Sequence, residues 1–240
     1  ELSKTESHQK NIAAATSALS FEEVALDSAN NVLLRARELT IQGQNGTLSQ
    51  SDRDAIANEI DGLREQLLSI GNRQNADGEY IFAGTASNAP AYDASGVFQG
   101  DAIVRQINIG KGVSVARGHS GAEVFEGVNG TRNAFNVLAD LSQALRNNDQ
   151  TLVSERFVDV DAATEQLSSV RTAIGVRMNW IDNQASLNDN FNVDLQRTIS
   201  DIEDLDIAEA IGRLQLQMVS LQAAQQTFVK TLNLSLFNYL

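Results

Sequence analysis

Few residues of this 240-residue chain combine the types and spacings that chemistry requires. The acidic pairs Asp52 with Asp54 and Glu203 with Asp204 could serve as a general acid and base or as metal ligands. Each pair, however, falls where a helix is expected to begin, and carboxylates there meet the positive end of the helix dipole. His8 and His119 are the only histidines, they stand in different segments, and the chain has no cysteine. Neither a zinc ligand set nor a nucleophile with its base is assembled from that inventory, and a scattered surface role is expected for both imidazoles. Gly110-Lys111-Gly112 has the composition of a phosphate loop but lacks the Gly-Lys-Ser/Thr ending and a following helix, so it reads as a turn. Asn45-Gly46-Thr47, Asn129-Gly130-Thr131 and Asn233-Leu234-Ser235 are formal glycosylation sequons and read as chance occurrences. No catalytic residue, cofactor or metal is expected.

Composition narrows the function classes further. The net charge of -13 and the lack of a Lys/Arg cluster argue against a surface that neutralises phosphates or anionic lipid, so neither nucleic acid nor membrane is an expected partner. No apolar run approaches the roughly 18–20 residues of a membrane span, and the start does not resemble a cleavable signal peptide. The chain begins at Glu1 without an initiator Met and is expected to be a fragment or processed form. Aromatic residues make up only 5% while Ala, Leu, Asn, Gln and Ser dominate, a balance that favours helix packing.

The elements that must carry any function are long helices. Ile12, Ala15, Leu19, Leu26, Ala29, Leu33 and Ala36 recur at helical spacing through residues 2–42, with no Gly or Pro before Gly43. Ser49 and Ser51, each three residues before an Asp, offer N-caps for a second helix with the heptad row Ile56, Ile60, Leu63, Leu67 and Ile70. Phe135, Leu138, Leu141 and Leu145 mark a third. A much longer one runs from about Leu152 to Ile202 on Val160, Ala163, Leu167, Val170, Ile174, Ile181, Phe191 and Leu195, interrupted by Arg177, Gln184 and Asn188. Asp206 with Glu209 forms a capping-box pattern ahead of a last helix. That helix carries Ile207, Ile211, Leu214, Met218, Leu221, Phe228 and Leu232 at heptad spacing, and the chain ends on Leu234, Leu236, Phe237, Tyr239 and Leu240.

Between the helical blocks, Gly78 to Gly130 is dense in glycine, holds the single proline, Pro90, and loses helical periodicity. Ile107 and Ile109, then Val113 and Val115, alternate around Gly110-Lys111-Gly112 as a hairpin does. The expected fold is mainly α with a β-rich insertion: an elongated antiparallel helical bundle carrying a small outer β domain at its tip. Residues 1–80 and 131–203 supply the two halves of the core, 81–130 a removable outer domain, and 204–240 a C-terminal assembly helix. Its apolar row is either internal core or an intermolecular seam, and periodicity alone does not separate the two.

Several stretches resemble the flagellin superfamily. Asn30-Asn31-Val32-Leu33-Leu34-Arg35-Ala36-Arg37-Glu38-Leu39-Thr40-Ile41-Gln42, followed by Asn45-Gly46-Thr47, is similar to the first long helix of flagellins. Asp54 to Ile60, Val170-Arg171 with Gly175 and Asn179, and Ile202-Glu203-Asp204-Leu205-Asp206 continue the likeness. Gly78-Glu79-Tyr80-Ile81-Phe82-Ala83-Gly84-Thr85, with Gly100-Asp101 downstream, and the ending Leu234-Ser235-Leu236-Phe237-Asn238-Tyr239-Leu240 resemble the hook-associated, hook-filament junction branch.

The resemblance implies a structural, non-enzymatic subunit of the bacterial flagellum that joins hook to filament by helical self-assembly. Filament flagellin, and a helical secreted adaptor or adhesion factor, are the alternatives. It further implies an extracellular location, reached through the flagellar secretion channel without a cleaved signal. The implied partners are other copies of the chain, a hook-side junction protein, filament flagellin and a cytoplasmic export chaperone. The assembly interface is then assigned to Ile211, Leu214, Met218, Leu221, Phe228, Leu232, Leu236, Phe237 and Tyr239. Its mate is expected to be a helix ahead of Glu1, with which the family's C-terminal helix pairs.

Overall fold

The computed structural model describes residues 1–203 and 207–233, with the side chains of residues 203, 207, 208, 232 and 233 left out of the description. Residues Glu1–Phe191 form one compact unit and Asn192–Leu240 a second.

The first unit is built on α1 (Leu2–Gly43), where Thr5, Ile12, Ala15, Leu19, Glu22, Leu26, Ala29, Leu33, Ala36, Thr40 and Gly43 are all buried. Steps of three, four and seven keep these residues on one face, which is the seam of a helix packed at a shallow angle. It is also paired with the part of α5 (Gln150–Glu203) within this unit, where Val160, Ala163, Leu167, Val170, Ile174 and Ile181 are buried. Polar contacts fix the direction of the pairing. Gln9 donates to Asp189 at 2.6 Å, Arg171 pairs with Glu23 at 2.7 Å, Arg37 with Asp161 at 2.6 Å, and Gln150 reaches the Gly43 carbonyl at 3.5 Å. Residue numbers fall along α5 as they rise along α1, so the two run antiparallel as the matching seams require.

α2 (Gln50–Gly71) begins with a complete capping box, in which the Ser49 side chain accepts from the Asp52 N–H and Asp52 accepts from Ser49 N–H. Ile56, Ile60, Leu63 and Leu67 are buried, and Ile70 is half-buried against the core. Arg35 pairs with Glu59, and Arg73 sits over the Phe21 ring, so α2 returns antiparallel to α1. α4 (Ala134–Arg146) is capped by Asn133 and lies along α2, its Arg146 bonded to Asn58 and Asp61. Gly43 has no room for a side chain, because a Cβ there would come within 2.5 Å of Leu145 Cδ2.

The middle of the chain carries the small β insertion that the sequence predicts. Among the described residues, strand is confined to β1 (Gln106–Gly110) and β2 (Val113–Ala116), an antiparallel hairpin turning at Lys111 and Gly112 as its sequence predicts. The rest is turns and the short α3 (Gly121–Val124). What holds it is an aromatic cluster: Phe82, Tyr92, Phe98, Phe125 and the α4 residue Phe135 meet with ring centroids 4.6–5.9 Å apart. The cluster leans on the end of α2, where a Cβ at Gly71 would touch both Phe135 and Tyr92 at 3.1 Å. Asn72 clamps the Tyr92 backbone at both its N–H and C=O, each at 2.8 Å. Gly84 is held at φ +69 with its Cα against Asp101, which accepts from the Thr85 N–H and hydroxyl. This contact explains why Gly84-Thr85 and Gly100-Asp101 occur together.

The ends of the segment do come together, with the Gly121 N–H donating to the Phe82 carbonyl at 2.7 Å. The segment nevertheless shares its core with the helices instead of standing apart from them, since rings from 82 to 125 complete the packing around Phe135. Phe191, expected on the inner seam, is 49% exposed, and Leu195 is half-buried.

Two outcomes follow from this packing. Ile174→Ala removes a fully buried side chain from the α1–α5 seam and is expected to cost about 2–5 kcal/mol in urea denaturation. A loss below about 0.5 kcal/mol, the range of surface changes, contradicts the seam. Replacing residues 83–127 by a short Gly/Ser bridge strips the cluster from Phe135 and Gly71, so cooperative melting of the remaining helices is expected to be lost. A sharp transition after excision contradicts the shared core.

Candidate assembly surface

The groups with chemical potential are engaged structurally. Asp52 is the N3 residue of the α2 cap, and the Ser49 hydroxyl holds its carboxyl below the usual range. Asp54 accepts from Gln50 at 2.9 Å. The Glu203 side chain and Asp204 lie outside the described residues. Lys111 is exposed in the hairpin turn and His8 is half-buried. Among the described residues, no three His, Asp or Glu side chains cluster as a metal site would require, and no helix is long and apolar enough to cross a membrane.

His119 corrects the sequence reading, because it is buried. Its Nδ1 lies 2.9 Å from Glu22 Oε1, and the two side chains are 2% and 4% exposed. Burial holds the Glu22 carboxyl above its ordinary value, against the opposing hydrogen bond from His119 and the charge of Arg177. The pair ties α1 to the chain ahead of α3, and Arg177 of α5 donates to the adjacent Gly118 carbonyl at 3.2 Å. Glu22 carried a signal in sequence: it fills the gap between Leu19 and Leu26 in the α1 heptad, where a lone charge demands a partner. A cavity of about 320 Å³ borders the pair, with Phe21, Tyr80, Arg105 and Arg117 in its walls. A second buried charge pair, Arg156 with Asp159 at 2.7 Å, takes an additional bond from Asn129 at 3.0 Å and fastens the loop before α4 to α5.

The surface best suited to a function is α6 (Ile207–Asn233) in the second unit. Ile211, Leu214, Met218, Leu221 and Phe228 are 50–65% exposed. They share one helical face, as their heptad spacing requires. Leu232 lies in α6, its side chain outside the description, while Leu236, Phe237 and Tyr239 lie outside the described residues. Leu216, Val219 and Val229 are exposed as well and were absent from the expected row. The spacing of Leu216, Val219 and Ala223 was the sequence signal for this second apolar strip. From residue 207 to 233 only Glu209, Arg213 and Lys230 carry charge, and Arg213 spends its own on Glu209 at 2.7 Å. A water-exposed helix this apolar has the composition of a buried interface, and each large side chain fully removed from water contributes roughly 1.5–3 kcal/mol.

Two family profiles match the chain: the bacterial flagellin N-terminal helical region over residues 1–87 and the bacterial flagellin C-terminal helical region over residues 158–240. The chain belongs to the flagellin superfamily. The flagellin-type regions take in α1 and α2 at one end and most of α5 with α6 at the other, leaving the hairpin and α4 between them. Flagellar hook-associated protein 3 of Escherichia coli (strain K12) is 29% identical over 248 residues, covering 93% of this chain and 77% of that protein. A solved structure assigned as a flagellar hook-associated protein from Vibrio parahaemolyticus is 26% identical, with a TM-score of 0.79 over 84% of this chain and 92% of that one. The Bacillus cereus flagellin structure, 24% identical, gives a TM-score of 0.54 over 74% of this chain and 88% of that one. Within the flagellin superfamily, the fold therefore sits nearer the hook-associated protein than this filament subunit.

The Glu22 environment makes a pH prediction. A carboxyl whose folded-state value is raised binds its proton more tightly when native. Its stabilising contribution is therefore complete below the ordinary value of 4.5 and is lost as pH rises through the raised value. Glu22→Gln abolishes this titration while keeping an acceptor for His119. In urea titrations its stability relative to the parent chain is expected to rise from pH 4.5 to the raised Glu22 value and to level off above it. A difference that is constant with pH contradicts the assignment.

Proposed function

We propose that this protein is the structural subunit that joins the flagellar hook to the filament, and that it works by contact alone. The observation that carries the reading is the likeness over 93% of the chain to a hook-associated protein. The exposed apolar surface of α6 supports it, because a subunit that acts by assembly must keep such a surface for its neighbours. Open or ring-like assembly requires heterologous contacts on two faces of each copy, whereas an adaptor needs one. The neighbours are other copies of the chain, a hook-side junction protein and filament flagellin. Export through the flagellar secretion channel, assisted by a cytoplasmic chaperone, carries the protein outside the cell.

Filament flagellin is the second reading, favoured by the flagellin profiles at both ends of the chain. Electron microscopy of a deletion strain separates the two. Loss of a junction subunit is expected to leave hooks in place while flagellin is shed into the medium. A deletion strain that keeps its hooks but has no filament protein, either attached or shed, identifies the chain as the filament subunit instead. In the same strain, Leu221→Asp combined with Phe228→Asp is expected to abolish filament attachment while the melting of residues 1–191 stays nearly unchanged. Attachment that survives both changes removes α6 from the interface.

A further inference from the structure

The tripeptide Asn-Gly-Thr occurs at residues 45–47 and again at residues 129–131. Glycine puts no side chain beside its own amide nitrogen, so after an Asn that nitrogen has an unhindered approach to the Asn side-chain carbonyl carbon, with which it closes a five-membered ring. Identical residues give both copies the same intrinsic chemistry, and Asn and Gly are exposed in both, so the local fold sets them apart.

At the second copy the participants are engaged. The Asn129 side-chain amide donates to Asp159 at 3.0 Å, and the Gly130 N–H donates to the Gly127 carbonyl at 2.8 Å. Both residues are held at positive φ, +49 and +89. At the first copy, in the loop joining α1 to α2, neither the Gly46 N–H nor the Asn45 side-chain amide has an acceptor among the described residues. Asn45 Oδ1, in contrast, accepts from the Thr47 N–H at 3.1 Å and from the Thr47 hydroxyl at 2.8 Å. Nucleophile and leaving group are free while the carbonyl oxygen between them is held.

We propose that Asn45 is a site of spontaneous covalent modification, converting to aspartate and isoaspartate through a cyclic imide with Gly46, and that the fold protects Asn129 from the same reaction. Loss of the Gly46 N–H proton to hydroxide frees an electron pair, which forms a bond from that nitrogen to Asn45 Cγ. Negative charge moves to Oδ1, where the two Thr47 donors already point. The Cγ–Nδ2 bond then breaks, and Nδ2 takes a proton from water and leaves as ammonia, returning the hydroxide. Water opens the imide at either carbonyl. Opening at Cγ restores the main chain with aspartate at 45, whereas opening at the main-chain carbonyl leaves the chain running through Cβ, one methylene longer. Water is consumed as ammonia is released, nothing is oxidised or reduced, and either product adds a negative charge to the -13 of the chain. The longer link falls at a sensitive place. The Leu48 N–H donates to the Asn45 carbonyl at 3.2 Å and Ser49 caps α2 directly after it, so isoaspartate displaces the turn that sets α2 against α1.

The full chain is incubated in mildly alkaline buffer and digested, and the two peptides are followed by mass spectrometry for replacement of the amide by a hydroxyl group. In the folded protein, position 45 is expected to react about tenfold or more faster than position 129, the factor set by breaking the hydrogen bonds at Asn129 and Gly130. In urea the two rates are expected to converge. Gly46→Ala places its methyl in open space and is expected to suppress the reaction at 45 without altering melting. Thr47→Val removes the hydroxyl donor and is expected to slow position 45 in the folded protein while leaving it unchanged in urea. Equal rates at 45 and 129 in the folded protein overturn the proposal, as does a rate at 45 that Gly46→Ala leaves unchanged. Acceleration by Thr47→Val overturns the role given to its hydroxyl.

Discussion

The antiparallel pairing of α1 with α5 is the contact on which the other elements depend. Each of these helices is stable in water only where its apolar face is covered, and each carries a long heptad row to be covered. α2 and α4 add a second layer over one end of α1, and the turns of the middle segment close against that layer through Phe135. Removing the pairing would leave the capping boxes, turns and aromatic cluster intact as local preferences with nothing to pack upon.

The polar residues set into this seam do a different job from the apolar ones. Arg177 donates to the Gly118 carbonyl, Gln184 to Asn188, and Asn188 to the Ile109 carbonyl, while Glu22 meets His119. Three of the four reach residues 109–119, so the seam's interruptions are the sockets into which the middle of the chain plugs. Apolar burial stabilises the bundle without specifying register, and these bonds supply the register. The hairpin is held in the same way from α1, where Asn11 donates to the Asn108 carbonyl at 2.7 Å.

Helices and their seams were legible because heptad spacing leaves a strong trace over ten or more turns, as from Thr5 to Gly43. The hairpin was legible because Gly110 and Gly112 frame it. The aromatic cluster was not, since Phe82, Tyr92, Phe98, Phe125 and Phe135 have no common period and meet only through tertiary folding. Dense glycine suggested strands there, whereas several of those glycines serve turns or close approaches such as Gly84 against Asp101. His119 was misplaced because nothing adjacent to it in sequence reveals Glu22, 97 residues away. On the assembly surface, the row from Ile211 to Phe228 was readable, but periodicity does not tell which face of a two-faced helix will be covered. Phe191 was accordingly assigned to the wrong side of α5, and Leu216 and Val219 were passed over.

A junction subunit that works by contact must bury α6 when it assembles and leave it in water before. Amide hydrogen exchange of residues 209–231 tests this most directly, measured on the free protein and on purified flagella. Exchange along α6 is expected to slow by orders of magnitude on assembly, while the amides of the α1–α5 seam, already protected in the free chain, change little. Equal exchange along α6 in the two states would contradict the account, because the most apolar exposed surface of the protein would then have no partner in the structure it is meant to join.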